Sequence, residues 1–273
     1  MYDKYPEFIS TDPRTQRKSI RSYTITQEFT EGRHKAFFES IDLKDKTVLD
    51  LGCCVASLGA WVLDKGAKHY HGVEYDETLC NLANKNLSKY FNNFTITQDF
   101  IENFFENNTE HFDIIVASGI IYGYFNPSEF IDEVVQISNN IILESRHPLY
   151  RWLKETKFDA EGYFPINHIK SLEKLPIVVY YPGNASMMLS DKASNLKFNG
   201  SCPTKGFVDH YFKLKGFVNN QTLDTNIQKY CPDVYNSNKR YASLYIRSDN
   251  DTGVGFKDAF NNNDYTVTGF YNE

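Results

Sequence analysis

Between Thr47 and Ser145 short apolar runs alternate with stretches patterned for helices, and that rhythm limits the folds open to this chain more than any other feature. Thr47-Val-Leu-Asp-Leu-Gly-Cys53 is an apolar run that ends in an acid and a glycine, as a buried parallel strand does. Ala56 to Lys65 carries Leu58, Trp61, Val62 and Leu63 at helical spacing and closes at Gly66. His69 to Tyr75 is the second predicted strand, Asp76 to Tyr90 a helix with an acidic first turn, and Phe94 to Phe100 an alternating third strand. Phe112 to Ser118 is a fourth buried strand, Pro127 to Ser138 a helix opened by proline, and Asn140 to Ser145 a fifth strand. Strand and helix in turn predict a doubly wound, Rossmann-like α/β domain whose parallel sheet is covered on both faces by right-handed crossovers. Ligands of such sheets sit beyond the carboxyl ends of the strands.

The flanks read differently. Residues 1–32 are polar and interrupted, with Arg14, Arg17, Lys18 and Arg21 crowded together before a helical stretch from Thr26 to Ser40, and they are expected to lie over the core as a leader. After Arg146 the rhythm is lost. Tyr180 to Gly183 and Asn199 to Pro203 read as turns, Ile177 to Tyr181 as an added strand, and 147–203 as an insertion that caps the substrate side. A helix from Thr204 to Lys215, ended by Gly216, precedes two closing strands, Phe217 to Thr225 and Arg240 to Arg247. The core is thus assigned to 33–146 and 204–248, and the asparagine-rich stretch 249–273 is expected to be a peripheral tail.

Composition narrows the function classes. With 41% hydrophobic residues in 273, the chain can offset its ordering entropy and fold. Its 29 basic and 35 acidic residues leave a net charge of -6, which opposes a surface built to neutralise duplex phosphates. No apolar run reaches the roughly 18 residues of a membrane helix, and Met1 to Tyr5 lacks a secretion-signal layout, so a cytoplasmic protein without membrane contact is expected. The five cysteines show no CxxC pairs, so neither a disulfide framework nor a metal site is indicated.

The most informative stretch is Val48-Leu-Asp-Leu-Gly-Cys-Cys-Val-Ala-Ser57 together with Glu74 at the end of the second strand. A backbone must approach a ligand closely where the first strand turns into its helix, and Gly52 removes the obstructing side chain. Here the sequence resembles the class I S-adenosylmethionine-dependent methyltransferases, whose first motif is an acid-x-Gly-x-Gly-x-Gly loop. Cys54 and Ala56 stand at the later glycines. The resemblance implies a seven-stranded, mostly parallel sheet with an antiparallel last strand, and S-adenosylmethionine as cofactor. It implies that Glu74 holds the ribose hydroxyls, that Asp99 meets the adenine amino group, and that Phe100 and Tyr75 cover the two faces of the adenine. Asp50, Gly52, Cys53 and Ser118 complete the implied cofactor set, and Arg33 is placed near the carboxylate of the methionine part.

The loop Ser118-Gly-Ile-Ile-Tyr-Gly-Tyr-Phe-Asn-Pro127 lacks the Asn/Asp-Pro-Pro-aromatic motif of base N-methyltransferases. It is similar instead to the Ser-x-x-Leu-Tyr-His plus Asp-Pro loop of small-molecule methyltransferases and of the tRNA wobble-uridine carboxymethyltransferase group. Ile121, Tyr122, Gly123 and Asn126 stand at the Leu, Tyr, His and Asp positions. The expected activity is in-line transfer of a methyl group to oxygen or nitrogen of a small, anionic metabolite, with alignment supplying much of the rate. His147 is the first candidate base, imidazole being the side-chain type most used for general acid–base work, with Glu144 orienting it or acting itself and Tyr122 lining the acceptor pocket. Three alternatives stand beside this reading: a tRNA-modifying (carboxy)methyltransferase, a non-catalytic cofactor-binding scaffold, and an NAD-dependent dehydrogenase, the last disfavoured by the missing Gly-x-Gly-x-x-Gly.

Overall fold

The computed structural model describes residues 1–13, 26–124, 126–148, 171–184, 197–231 and 240–248. The basic stretch Arg14 to Arg21 and the tail from Asp249 lie outside the described residues. Five strands follow the expected order: β1 (Thr47–Leu51), β2 (His69–Glu74), β3 (Phe94–Gln98), β4 (Ile114–Ser118) and β5 (Asn140–Arg146). After them come β6 (Val178–Asn184), β7 (Lys197–Pro203), β8 (Phe217–Asn220) and β9 (Arg240–Arg247). The helices are α1 (Glu7–Ser10), α2 (Gln27–Phe38), α3 (Ser57–Asp64), α4 (Glu77–Leu87), α5 (Ile101–Asn107), α6 (Pro127–Ile137), α7 (Lys205–Leu214) and α8 (Thr222–Tyr230).

The main sheet has seven strands in the order β3-β2-β1-β4-β5-β9-β8. Strands β1 to β5 pair in parallel, and β9 runs antiparallel to both β5 and β8, so it is the reversed strand of the sheet. This is the seven-stranded, doubly wound architecture expected of the chain. Register explains how its side chains divide between the faces. Val48 pairs with Tyr70 and Ile114, so these three project together into a core closed by Phe37 of α2, Trp61 and Val62 of α3, Leu87 of α4 and Leu223 and Ile227 of α8. Leu49, Leu51, Ile115 and Ala117 project the other way, against Phe104 of α5, Phe130 and Val134 of α6 and Phe212 of α7. Burial of each Val, Leu, Ile or Phe among them contributes about 1.5–3 kcal/mol.

The first residues are packed into this structure. Tyr2, Tyr5 and Phe8 are buried in the α2–α3–α4 core, and the Tyr2 hydroxyl lies 2.9 Å from the Ser57 carbonyl oxygen and 2.7 Å from His34 Nδ1.

Two expectations are corrected. The predicted strand from Phe217 to Thr225 stops at Asn220, and α8 opens at Thr222, because Leu223 and Ile227, four residues apart, bury together against the sheet while Asn226 Nδ2 donates to the Ala36 carbonyl over 3.3 Å. The stretches Tyr180 to Gly183 and Asn199 to Pro203, expected as turns, belong to the antiparallel ribbon β6–β7. Both strands of a two-stranded ribbon are edges, and an edge tolerates Pro182 because its missing N–H can fall on the unpaired side. Helix α5 was not anticipated from the sequence.

Candidate active site

The turn between β1 and α3 is built on three left-handed residues: Gly52 (φ 73°), Cys54 (φ 54°) and Ala56 (φ 57°). These are the alternate positions where the resemblance expects glycines, so the loop keeps its glycine-type shape with side chains at two of them. A left-handed conformation costs a residue with a Cβ roughly 1–2 kcal/mol, and the surroundings must hold it there. They do: the Gly52 and Cys53 N–H groups donate to the Val73 carbonyl at 2.8 and 3.0 Å, and the Ala56 N–H to the Cys53 carbonyl at 2.9 Å. A Cβ added at Gly52 would collide with the tip of Ile120 from the loop after β4.

Asp50 and Cys53 are drawn into the core. The Tyr70 hydroxyl donates to Asp50 Oδ2 over 2.8 Å, and both groups are buried. The Cys53 thiol packs over Gly72, where an added Cβ would come within 2.8 Å of Sγ, and burial pushes the thiol pKa well up. From Cys53, therefore, the turn takes main chain rather than a reactive sulfur.

Glu74 is the pivot of this edge of the sheet. Its carboxylate is 7% exposed and accepts the Cys54 N–H at Oε2 (3.0 Å) and the Asp76 N–H at Oε1 (3.1 Å), tying the turn to the start of α4. Burial raises its pKa, against the lowering effect of those backbone donors. Each carboxylate oxygen has a second lone pair with which to accept a ligand hydroxyl. Beside it, the Tyr75 and Phe100 rings lie nearly parallel (17°) with centroids 5.5 Å apart. That is the separation of a direct aromatic pair, so the two rings expected on opposite faces of an adenine stack on each other instead. Asp99 Oδ1 accepts from the Phe100 N–H at 2.8 Å and from Asn103 Nδ2 at 2.9 Å, which fixes the entry to α5.

At the ends of β4 and β5 the charges collect. Glu144 is 1% exposed; Ser118 Oγ donates to its Oε2, Arg33 Nη1 lies 3.7 Å from that same oxygen, and Arg240 Nε lies 3.1 Å from Oε1. Ser118 and Arg33, expected at the cofactor, are thus joined to Glu144, expected at the acceptor. Arg33 Nε is buried with no hydrogen-bond partner among the described residues. The Arg146 guanidinium lies over the Tyr122 ring, 4.3 Å from its centroid. Burial works to raise the Tyr122 pKa, but Arg240 and Arg146 outweigh it and the phenol falls below its ordinary 10.0.

The expected pairing of Glu144 with His147 is corrected. His147 Nδ1 lies 3.1 Å from Glu173 Oε2, and its ring packs against Tyr241 at 5.0 Å, while Glu144 is engaged by Ser118, Arg33 and Arg240. Sequence reasoning missed Glu173 and Arg240. Arg240 stands opposite Arg146 in the β5–β9 register, a pairing that only the antiparallel return of β9 reveals. Asn126 heads α6, its Oδ1 accepting the Ser128 N–H over 3.2 Å. Tyr124 packs its ring on Phe130 at 4.8 Å, and its carbonyl accepts from the Ser201 N–H (3.1 Å) and Oγ (2.7 Å), which docks β7 on the loop after β4.

A family model described as a methyltransferase domain matches residues 42–229. The chain belongs to this methyltransferase family. It is a class I enzyme with S-adenosylmethionine as its cofactor. Among solved structures, an S-adenosylmethionine-dependent methyltransferase from Mesorhizobium loti superposes with a TM-score of 0.52 at 14% identity, covering 80% of this chain and 100% of that one. The N-terminal domain of EvdMO1, solved with S-adenosylhomocysteine bound, gives a TM-score of 0.54 at 13% identity over 84% of each chain. At such identity the likeness is one of fold. A search of curated proteins finds no match. Among the described residues of the methyltransferase no helix is long and apolar enough to cross a membrane.

Proposed function

We propose that this methyltransferase moves the methyl group of S-adenosylmethionine to an oxygen or nitrogen of a small, anionic metabolite. The observation that carries the cofactor half is the left-handed turn at Gly52, Cys54 and Ala56 bound to the buried carboxylate of Glu74. Glu74 would accept the ribose hydroxyls and Gly52 would give the backbone its close approach. Arg33, whose buried Nε has no hydrogen-bond partner among the described residues, would meet the methionine carboxylate, Asp99 the adenine amino group, and the Tyr75–Phe100 pair the flat apolar ring. Asp50, Cys53 and Ser118 would serve by holding those groups in place. When bound, the cofactor supplies a methyl group activated on a sulfonium.

For the acceptor half, the support is the arginine-rich end of β5 and β9 and the contact of β7 with Tyr124, which closes the loop after β4 from one side. In this reading the ribbon β6–β7, within the described part of the insertion, contributes the acceptor wall. The arginines gathered there, Arg33, Arg146 and Arg240, favour a small anion in this reading. His147, its Nδ1 bound to Glu173, would present Nε2 to a proton leaving the acceptor, a role contributing about 10²–10⁴-fold. The test is transfer of labelled methyl from S-adenosylmethionine to a metabolite extract and, separately, to bulk tRNA. Label is expected in the small-molecule pool; label confined to tRNA would overturn the small-acceptor reading.

A further inference from the structure

Arg146 ends β5 at the carboxyl edge of the sheet, half-buried, with its guanidinium laid over the Tyr122 ring. Among the described residues no carboxylate lies within ion-pair distance of it, for the nearby Glu144 is engaged by Ser118, Arg33 and Arg240. A cation that is half removed from water and not answered by a carboxylate is costly unless something else pairs with it.

Its surroundings direct that something. Gly119 (φ 80°) follows β4, and a Cβ there would come 2.9 Å from the Tyr122 hydroxyl and 3.1 Å from Arg240 Nη2. Glycine at this position lets phenol and guanidinium converge on the backbone just where the sheet ends. The lowered Tyr122 pKa reports the same positive field from a second direction. The Gly119 N–H is itself held by the Glu144 carbonyl at 2.9 Å, so the turn that carries Tyr122 is fixed to the strand that carries Arg146.

We propose that Arg146 and the Tyr122 hydroxyl form the receptor for an anionic group, a carboxylate or a phosphate, on the methyl acceptor. The planar fork of arginine suits both groups, and stacking on the aromatic ring holds the fork in one orientation before the ligand arrives. The inference rests on the reading that the cofactor occupies the adjoining crevice at Gly52 and Glu74. It makes Arg146 a specificity residue: acceptors lacking the anion are bound poorly even when their nucleophile is sound.

The experiment uses the full chain as wild type, Arg146→Met, which keeps the apolar stem over Tyr122, and Arg146→Lys, which keeps the charge without the fork. S-adenosylhomocysteine is titrated by calorimetry into each, and inorganic phosphate and benzoate are then titrated into each loaded protein. Labelled methyl transfer is measured on a metabolite extract separated on an anion exchanger. Arg146→Met is expected to bind S-adenosylhomocysteine within about twofold of wild type, to lose at least about tenfold in affinity for the better of the two anions, and to lose transfer to the retained fraction by a similar factor. Arg146→Lys falls between, and if the methionine variant does not fold, the lysine variant carries the comparison. A tenfold loss of S-adenosylhomocysteine affinity in Arg146→Met would mean that the arginine serves the cofactor's own carboxylate, and it would overturn the inference. Failure of both anions to bind the loaded wild type, or unchanged anion binding in the variants, would overturn it as well. If wild type does not bind S-adenosylhomocysteine, the cofactor reading fails first, and the calorimetry separates the two failures.

Discussion

Gly52→Ala puts the turn under the most specific stress available. At φ 73° an alanine costs about 1–2 kcal/mol of backbone strain, and lower entropy in the unfolded chain returns about 0.4–1 kcal/mol. The added Cβ also lands on the tip of Ile120, which must leave its rotamer at about 0.5–1.5 kcal/mol. The net loss is about 0.5–3 kcal/mol, centred near 2, or a fall in Tm of roughly 1–12 °C for a domain of this size. Gly216→Ala is the matched control: φ is 81° and, among the described residues, no atom beyond its chain neighbours lies within 4 Å of the position a Cβ would take, so only the backbone part remains, about 1 kcal/mol. Thermal unfolding of both variants reads the difference, and calorimetry with S-adenosylhomocysteine reads the function. Gly52→Ala should bind at least about tenfold more weakly, a loss of about 1.4 kcal/mol, while Gly216→Ala binds as wild type. Equal Tm values for the two variants, or undiminished binding by Gly52→Ala, would refute the reasoning.

Ala56→Gly should leave Tm unchanged or raise it, since glycine relieves φ 57°, whereas Ala60→Gly inside α3 should cost about 1 kcal/mol by thermal unfolding; equal losses would contradict the strained turn. Glu144→Gln leaves Arg33 and Arg240 buried without their carboxylate and should cost about 3 kcal/mol in urea unfolding, and a loss below about 1 kcal/mol would show the cluster to be unimportant for stability. Glu74 has its folded pKa raised by burial above the ordinary 4.5, so its contribution to stability is fully present below the unfolded value and is lost as pH rises through the folded one. Wild-type stability relative to Glu74→Gln, followed by denaturant titration from about pH 4 to 7, should therefore decline with rising pH; a difference that grows with pH contradicts the assigned direction.

The core of the fold was legible because β1, β4 and β5 are buried and read as apolar runs, β3 at the sheet edge reads as an alternation, and Gly52, Asp76 and Pro127 mark where strands give way to helices. Arg240 to Arg247 was placed as a strand on the same grounds, and the observed β9 has those bounds. What escaped was local signal too short to register. Helix α5 is seven residues, with Phe104 and Phe105 adjacent rather than periodic, and the β-favouring start Phe217-Val218 concealed the Leu223–Ile227 pair that makes α8. In the site, the turn and Glu74 were legible because each is a short motif within one strand end. The partners of Glu144 and His147 were not, because Arg33, Arg240 and Glu173 come from distant parts of the chain and meet only through the sheet order and the β9 return. The positive φ of Cys54 and Ala56 was also hidden, since neither residue type advertises a left-handed backbone.

The claim beneath all of this is that the β1 turn and the carboxylate of Glu74 together grip an adenosyl amino acid. Calorimetric titration of S-adenosylhomocysteine into wild type and into folded Glu74→Gln tests it most directly. The account predicts one site per chain in wild type and binding at least about tenfold weaker in the variant. No binding by wild type, or equal affinity in the two proteins, would contradict it.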